Sequence, residues 1–176
     1  ISVLNARKVL ENCIISILDQ DYKDYELIII DGGSIDGTVK ILENYSDKLS
    51  FWISEKDTGI YNAWNKALAR ASGEWICFIG SDDILLPNSL TKFIAKAKYP
   101  EVNFVSSRAM VVDDEGEELG SIGKSWNFQN LAHGCRVVHC GALHHHTLFN
   151  EYGFFNDDFK IAGDFEFFAR VGKDIN

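Results

Sequence analysis

The sequence predicts an α/β protein with a doubly wound, mostly parallel sheet and an antiparallel hairpin at the sheet edge. In the first hundred residues, short apolar segments alternate with segments of helical periodicity, a pattern typical of parallel sheets. After Pro100 the alternation stops, and two strand-like segments flank a turn at 113–116. The chain has 176 residues, of which 46% are hydrophobic and two are proline, so it can bury a substantial core.

The predicted strands are short and end at polar residues or glycine. The segment 26–31 is β-branched, nearly all apolar, and ends in Asp31. A further strand is predicted at 49–54, and another at 74–80 leads to the pair Asp82 and Asp83. Open α/β sheets bind ligands at the carboxyl ends of their strands, so these acidic strand ends indicate two edges of one crevice.

Apolar residues at helical spacing predict the helices between the strands. The first helix covers 10–18, the second follows a cap at Asp36, the third ends before Gly73, and the fourth begins at Pro87. A last helix is predicted at 164–171.

The C-terminal part is expected to differ from the first. The segments 103–112 and 118–123 form the predicted hairpin. Residues 125–150 are rich in His, aromatic residues and Gly without a clean period, and we expect them to be active-site loops.

Charge and cysteine content narrow the classes of function. The net charge of −9 and the isoelectric point of about 4.9 argue against the binding of nucleic acid and against electrostatic binding to anionic lipid. No apolar run approaches the roughly 20 residues of a membrane helix, and no signal peptide is recognisable. Cys13 and Cys77 lie on apolar faces and are expected to be buried thiols. Without a CxxC pair, a reducing, cytoplasmic setting fits best.

Four segments together resemble a known family. DGGSIDGT at 31–38, SEKDTGIYNAWNKAL at 54–68 and ASGEWICFIGSDD at 71–83 resemble the nucleotide-binding half of family 2 glycosyltransferases. The segment 139–170 resembles their acceptor-side half, and all four follow the family's order and spacing. The resemblance implies the A-type glycosyltransferase fold, a Rossmann-like arrangement. It also implies inverting sugar transfer of the non-processive bacterial type that builds surface polysaccharides.

The resemblance also predicts domain organisation and partners. We expect one domain at 1–176, with a nucleotide-sugar-binding half at 1–100 and an acceptor-side half at 101–176, truncated at one or both ends. The implied partners are a nucleoside-diphosphate sugar and a saccharide or lipid-linked acceptor. A peripheral position at the inner face of the membrane stays open, and nothing indicates the oligomeric state.

The acidic pair after the third apolar strand is the candidate metal site. Mg²⁺ and Mn²⁺ prefer oxygen ligands and commonly use one or two carboxylates together with substrate phosphates. By resemblance, Asp83 holds the Mn²⁺ or Mg²⁺, and Asp82 contacts the ribose or the water shell of the metal. The alternative is a solvated acidic turn.

Other donor contacts are assigned by position in the motifs. Asp31 can accept a hydrogen bond from a nucleobase N–H, although it could also serve only as a turn residue. By resemblance, Asn5 faces the nucleotide and Asp57 lies within reach of the same pocket. Gly32 departs from the family, in which Asp is common at this position.

The candidate general base is Asp164, which matches the position of the family's catalytic carboxylate. The alternative for Asp164 is a helix N-cap, and Glu166 is the second candidate base. By register from Gly153, His139 aligns with a recurrent His of the family and is expected to face the donor diphosphate or the acceptor.

Competing functions receive less support from the sequence. A zinc site built from His133, Cys135, His139, Cys140 and the run 144–146 matches no usual ligand spacing. Neither a GxGxxG turn, a glycine-rich basic loop after the first strand, nor a Gln-x-x-Arg-Trp motif is present, which disfavours oxidoreductases, nucleotidyltransferases and processive synthases. An inactive nucleotide-binding relative that acts as a scaffold remains the alternative.

Overall fold

The computed structural model describes residues 1–113, 115–133 and 137–176, and it confirms the α/β class. The strands are β1 (Ser2–Val3), β2 (Ile28–Asp31), β3 (Phe51–Ser54), β4 (Trp75–Cys77), β5 (Phe104–Val105), β6 (Ala109–Val112), β7 (Glu118–Ile122) and β8 (Leu143–His145). The α-helices are α1 (Leu10–Leu18), α2 (Thr38–Asn44), α3 (Ile60–Leu68), α4 (Ser89–Ala97), α5 (His146–Tyr152) and α6 (Gly163–Val171). Short 3₁₀ helices cover Ser46–Lys48 and Phe128–His133.

The parallel strands β1, β2 and β3 bring the two acidic strand ends to one edge. β1 pairs with β2, which also pairs with β3, and all three run in the same direction. On its other side, β1 is joined by a single parallel bridge between Ser2 and Gly80. Asp31 ends β2 and Asp82 follows Gly80, so the two acidic segments lie on either side of β1 at the same edge of the sheet.

The strand predicted at 74–80 is shorter than expected and has an antiparallel partner. It ends at Cys77 and pairs with β8, with Ile76 opposite His144. The expectation that 125–150 consists of loops is therefore wrong, because β8 lies inside this range and α5 begins in it. β8 lies between β4 and β5, and its adjacent residues Leu143 and His144 are both buried. Because adjacent residues of a strand point to opposite faces, both faces of β8 are covered, and its sequence lacks the alternation of apolar and polar residues that marks a half-exposed strand.

The predicted hairpin is present but begins later than expected. β6 and β7 pair antiparallel, with an irregularity of register between Val111 and Val112. The earlier part of the same segment forms β5, which pairs with β8 instead.

Two hydrophobic clusters support the site. One packs α1 against the parallel strands through buried residues such as Leu10, Cys13 and Ile14. The other joins α3, α5 and α6, and it is rich in aromatic residues. Trp64 belongs to this second cluster and is 8% exposed. In the described ranges, no helix has the length and hydropathy needed to cross a bilayer.

Candidate functional site

Asp31 lies at the end of β2 in a fully buried position. One carboxylate oxygen accepts hydrogen bonds from the Gly33 and Ser34 amides at 3.1 and 2.9 Å and from the Ser54 hydroxyl at 2.6 Å. The other oxygen accepts a hydrogen bond from the Ser34 hydroxyl. These bonds compensate the cost of burying a carboxylate, and they fix the turn after β2.

The turn after Asp31 also brings in Asn5 and Asp57. The backbone amide of Asn5 donates to Ser34 Oγ at 2.7 Å, and the side-chain oxygen of Asn5 accepts from the Ile35 backbone amide at 3.0 Å. Asp57 Oδ2 packs so closely against Gly32 that a Cβ on this residue would lie 2.7 Å from it. The glycine that departs from the family pattern thus makes room for Asp57, and the structure places three predicted donor contacts around one turn.

The acidic pair follows Gly80, the residue that forms the single bridge to β1. Asp83 Oδ2 accepts hydrogen bonds from the Gly80 amide at 2.7 Å and from Cys140 Sγ at 2.6 Å. Asp82 is exposed. Burial and the nearby Asp83 carboxylate raise the pKa of the Cys140 thiol, so this group remains a neutral donor near pH 7.

His139 precedes this thiol, but its ring points into the aromatic core. The ring is 8% exposed and stacks on Trp64 at 4.8 Å between centroids and on Phe78 at 5.4 Å. Neither ring nitrogen has a hydrogen-bond partner among the described residues. Burial lowers the pKa of His139 to about 3. This orientation leaves little of the ring available to a ligand, so its predicted contact with the donor or the acceptor would need the site to rearrange.

Asp164 lies in the first turn of α6 and does not cap this helix. The helix begins after Ala162, and no side-chain cap is found there. Instead, Asp164 Oδ1 accepts a hydrogen bond from the Tyr61 hydroxyl at 3.1 Å. No hydrogen bond to Asp164 Oδ2 is found in the described parts of the chain.

Glu166 is engaged in an ion pair. Its two oxygens accept hydrogen bonds from Nε and Nη2 of Arg170, both at 3.0 Å. Arg170 also donates to the backbone carbonyls of Tyr152, Gly153 and Phe154. Glu166 therefore helps to hold the loop after α5, which makes it a poorer candidate for a base than Asp164.

The residues of the alternative zinc site are the remaining candidates. Of the proposed zinc ligands, Cys135 lies outside the described residues. Elsewhere in the described chain, no three His, Cys, Asp or Glu side chains are grouped as metal ligands would be.

A cavity of about 820 Å³ lies elsewhere, at the amino ends of β2 and β4. Leu27, Ile28, Trp75 and Ile76 contribute to its walls, and none of the predicted site residues does. We therefore place the candidate site at the strand ends and not in this cavity.

Sequence reasoning missed several side chains that contact the candidate residues. Ser34 and Ser54 contact the carboxylate of Asp31, Cys140 contacts that of Asp83, and Tyr61 contacts Asp164. Ser54 ends a predicted strand beside the strand of Asp31, a position that could have identified it. Tyr61 lies inside a quoted motif, but only the packing of α3 against α6 reveals its partner.

Comparisons with known sequences identify the family of the chain. The sequence model described as "Glycosyl transferase family 2" matches residues 1–169. The chain is 26% identical over 174 residues to a PGL/p-HBAD biosynthesis glycosyltransferase of Mycobacterium bovis, and the match covers 97% of this chain and 67% of the relative. It is 28% identical over 178 residues to the Escherichia coli UDP-Glc:alpha-D-GlcNAc-diphosphoundecaprenol beta-1,3-glucosyltransferase WfgD, with 98% and 68% covered.

Solved structures share the fold. TarS of S. aureus in complex with UDP superposes with a TM-score of 0.76 at 21% identity, over 97% of this chain and 53% of TarS. Glucosyl-3-phosphoglycerate synthase of Mycobacterium tuberculosis, in complex with Mn²⁺ and UDP-glucose, gives a TM-score of 0.62 at 18% identity, over 98% and 64%. The fold is the A-type glycosyltransferase fold. The chain spans about two thirds of the length of the sequence relatives and about half of TarS.

Proposed function

The chain belongs to glycosyl transferase family 2, and on this basis we propose that it transfers a sugar, with inversion, from a nucleoside-diphosphate sugar to a hydroxyl acceptor in cell-surface polysaccharide biosynthesis. One observation carries the proposal: Asp83 and Asp164 each use one carboxylate oxygen for a hydrogen bond within the protein, and no such bond to the other oxygen is found among the described residues. One carboxylate lies at a strand end and the other on the acceptor-side helix, which suits two separate chemical roles.

The donor nucleotide is proposed to bind at the turn after β2. Asp31, Asp57 and Asn5 contribute carboxylate and amide groups around this turn. Asp31 is assigned to the nucleobase and Asp82 to the ribose. UDP bound to TarS, a protein of the same fold, supports a nucleoside diphosphate as ligand.

The residues present fit a divalent cation of the Mn²⁺ or Mg²⁺ type. Asp82 and Asp83 offer carboxylate oxygens, which such cations prefer, and substrate phosphates supply further ligands. Asp83 would hold the ion. When bound, the ion stabilises the negative charge of the departing diphosphate as a Lewis acid.

Asp164 is proposed to be the general base. In an in-line displacement, the acceptor hydroxyl attacks from the side opposite the diphosphate, so its proton must leave on the acceptor side. Asp164 Oδ2 is the candidate atom to accept this proton. The Glu166 carboxylate is already paired with the Arg170 guanidinium, which makes it the weaker candidate for the base.

The acceptor is proposed to be a saccharide or a lipid-linked saccharide, as the name of WfgD indicates for that relative. A cytoplasmic site of action, at the inner face of the membrane, would give access to such an acceptor. The free thiols of Cys13, Cys77 and Cys140 are compatible with this setting.

Isothermal titration with UDP, GDP and dTDP, with and without Mn²⁺, tests the proposed donor site. We expect one diphosphate to bind in a Mn²⁺-dependent manner, and Asp83→Asn to lose the Mn²⁺ dependence while its far-UV circular dichroism stays unchanged. Asp47→Asn, on the exposed 3₁₀ helix, is the matched control and should bind like the parent. Mn²⁺-dependent binding by Asp83→Asn at the parental affinity would refute the metal assignment. A chain that binds a nucleotide but does not turn over any donor would support the scaffold alternative.

A further inference from the structure

One face of α3 connects the two halves of the molecule. Tyr61 donates to Asp164, Asn62 Nδ2 donates to Asp157 Oδ2 at 2.9 Å, and Asn65 makes two hydrogen bonds to the backbone of Phe155. Phe155 and Asp157 lie in the segment that leads from α5 to α6, and Asp164 lies in the first turn of α6. This segment and the first turn of α6 are thus held from α3, which itself follows the loop of the donor site.

Tyr61 is the member of this face that reaches a candidate catalytic group. Its side chain is 6% exposed and packs edge-on against Trp64 at 5.3 Å and tilted against Phe155 at 5.9 Å. A ring fixed in this way has little freedom to move, so the position of its hydroxyl is well defined.

Gly163 allows the close approach of Tyr61 to α6. A Cβ at this position would lie 2.8 to 2.9 Å from three atoms of the Tyr61 ring. Any other residue would push the ring or the helix away and would lengthen the hydrogen bond to Asp164. The glycine and the tyrosine therefore form one arrangement, although they lie 102 positions apart in the sequence (163 minus 61).

We propose that Tyr61 is a positioning residue for Asp164, in that its hydroxyl occupies Oδ1 and orients Oδ2 towards the acceptor hydroxyl. This inference rests on the proposed role of Asp164 as general base. Tyr61 itself touches no substrate and keeps its proton. In the step that it supports, the proton of the acceptor hydroxyl passes to Asp164 Oδ2 while the acceptor oxygen bonds to the anomeric carbon and the diphosphate departs with its electron pair.

The environment of Tyr61 keeps it a hydrogen-bond donor. Burial, with a smaller contribution from the charge of Asp164, raises the pKa of the Tyr61 hydroxyl. The phenol therefore stays protonated through the neutral range.

A double-mutant cycle separates positioning from simple packing. The variants are Tyr61→Phe, which removes only the hydroxyl, Asp164→Asn, and the combination of both. The readouts are kcat and the donor KM for UDP release from UDP-glucose with Mn²⁺ and a soluble glucoside acceptor. Loss of a hydrogen bond to a charged group should lower kcat roughly 10- to 100-fold in Tyr61→Phe, with the donor KM unchanged.

In the double variant, we expect the kcat of Asp164→Asn alone, because the hydroxyl acts only through this carboxylate. Tyr25→Phe, whose hydroxyl donates to the Ile17 carbonyl at 3.1 Å, is the matched control and should keep the parental kcat. A parental kcat in Tyr61→Phe, or losses that multiply in the double variant, would overturn the inference. By contrast, a parental kcat in Asp164→Asn would remove Asp164 from the role of base and so would refute that part of the proposed function.

Discussion

At the level of single residues, the nucleobase contact proposed for Asp31 competes with its role in the turn for the same oxygens. Its carboxylate already accepts four hydrogen bonds within the turn, three of them on one oxygen. A carboxylate offers about four acceptor positions, so these bonds already use its capacity. Asp31 is also fully buried, and the proposed contact with a nucleobase would therefore require one of the bonds of the turn to open.

Replacement of Asp31 should therefore affect stability as well as affinity. We expect Asp31→Ala to lower the free energy of unfolding by about 1–3 kcal/mol, because buried amide and hydroxyl donors lose their acceptor. Urea unfolding measures this change, with Asp47→Ala as the exposed control. For the affinity, we expect roughly 10- to 100-fold weaker binding of the nucleotide with an unchanged metal requirement. Unaltered stability would contradict the hydrogen bonds described here, and unaltered affinity would restrict Asp31 to the turn.

At the level of elements, α3 is central because its two faces serve different partners. Its apolar face, which includes Trp64 and Leu68, packs in the aromatic cluster, and its polar face holds the segment before α6. The Trp64 indole also donates to Ser2 Oγ at 3.1 Å, which connects the helix to β1. The position of the Asp164 carboxylate relative to the turn after β2 thus depends on α3.

Asn65→Ala tests the contribution of this helix to the joining of the two halves. The Asn65 side chain donates to the Phe155 carbonyl at 2.8 Å and accepts from the Phe155 amide at 3.0 Å. We expect its removal to lower the free energy of unfolding by about 1–3 kcal/mol and to increase amide hydrogen exchange in the 153–164 segment. Asn44→Ala, at the exposed end of α2, should leave both measurements unchanged. Exchange that increases over the whole chain equally would contradict a local role.

At the level of the whole molecule, two histidines lie inside the aromatic cluster that joins the helices. The rings of His139 and His144 are 4.9 Å apart, and His144 is completely buried against Phe104 and Phe168. Burial lowers the pKa of His139 to about 3 and that of His144 well below its ordinary value. Both rings are therefore neutral in the folded protein at neutral pH.

These histidines should make the fold sensitive to mild acid. Below about pH 6.5 the unfolded chain binds protons at both histidines and the folded chain does not, so stability falls as the pH decreases towards about 3. The expected loss is about 1.4 kcal/mol per pH unit for each histidine. Urea unfolding should show little change between pH 7.5 and 6.5 and a fall in stability between pH 6.5 and 5.5, and His144→Phe should reduce that fall by about half.

Asn44→Ala, at the exposed end of α2, is the control for a substitution that removes no titratable group. Its slope should match that of the parent. If His144→Phe had the same slope as the parent, His144 would not be neutral and buried in the folded state.

The sequence alone determined the parts of the structure that depend on neighbours along the chain. The helical spacing of Leu10, Cys13 and Ile14 predicted α1, and the β-branched run before Asp31 predicted β2. The motif order predicted the family, and the acidic strand ends predicted the edge of the sheet where the candidate site lies. Such features can be predicted because periodicity and turn residues reflect contacts only a few positions apart.

Only the tertiary structure decided which distant groups meet. In the packed structure β4 pairs with β8, and the ring of His139 lies in the aromatic core. Asp164 accepts a hydrogen bond from Tyr61, 103 positions away, and does not cap its helix. These contacts depend on how α3, β8 and α6 pack together, and helical or strand periodicity carries no information about contacts at such separations. The same residue types are compatible with a cap, a ligand or a core position, and the packing around each side chain selects among them.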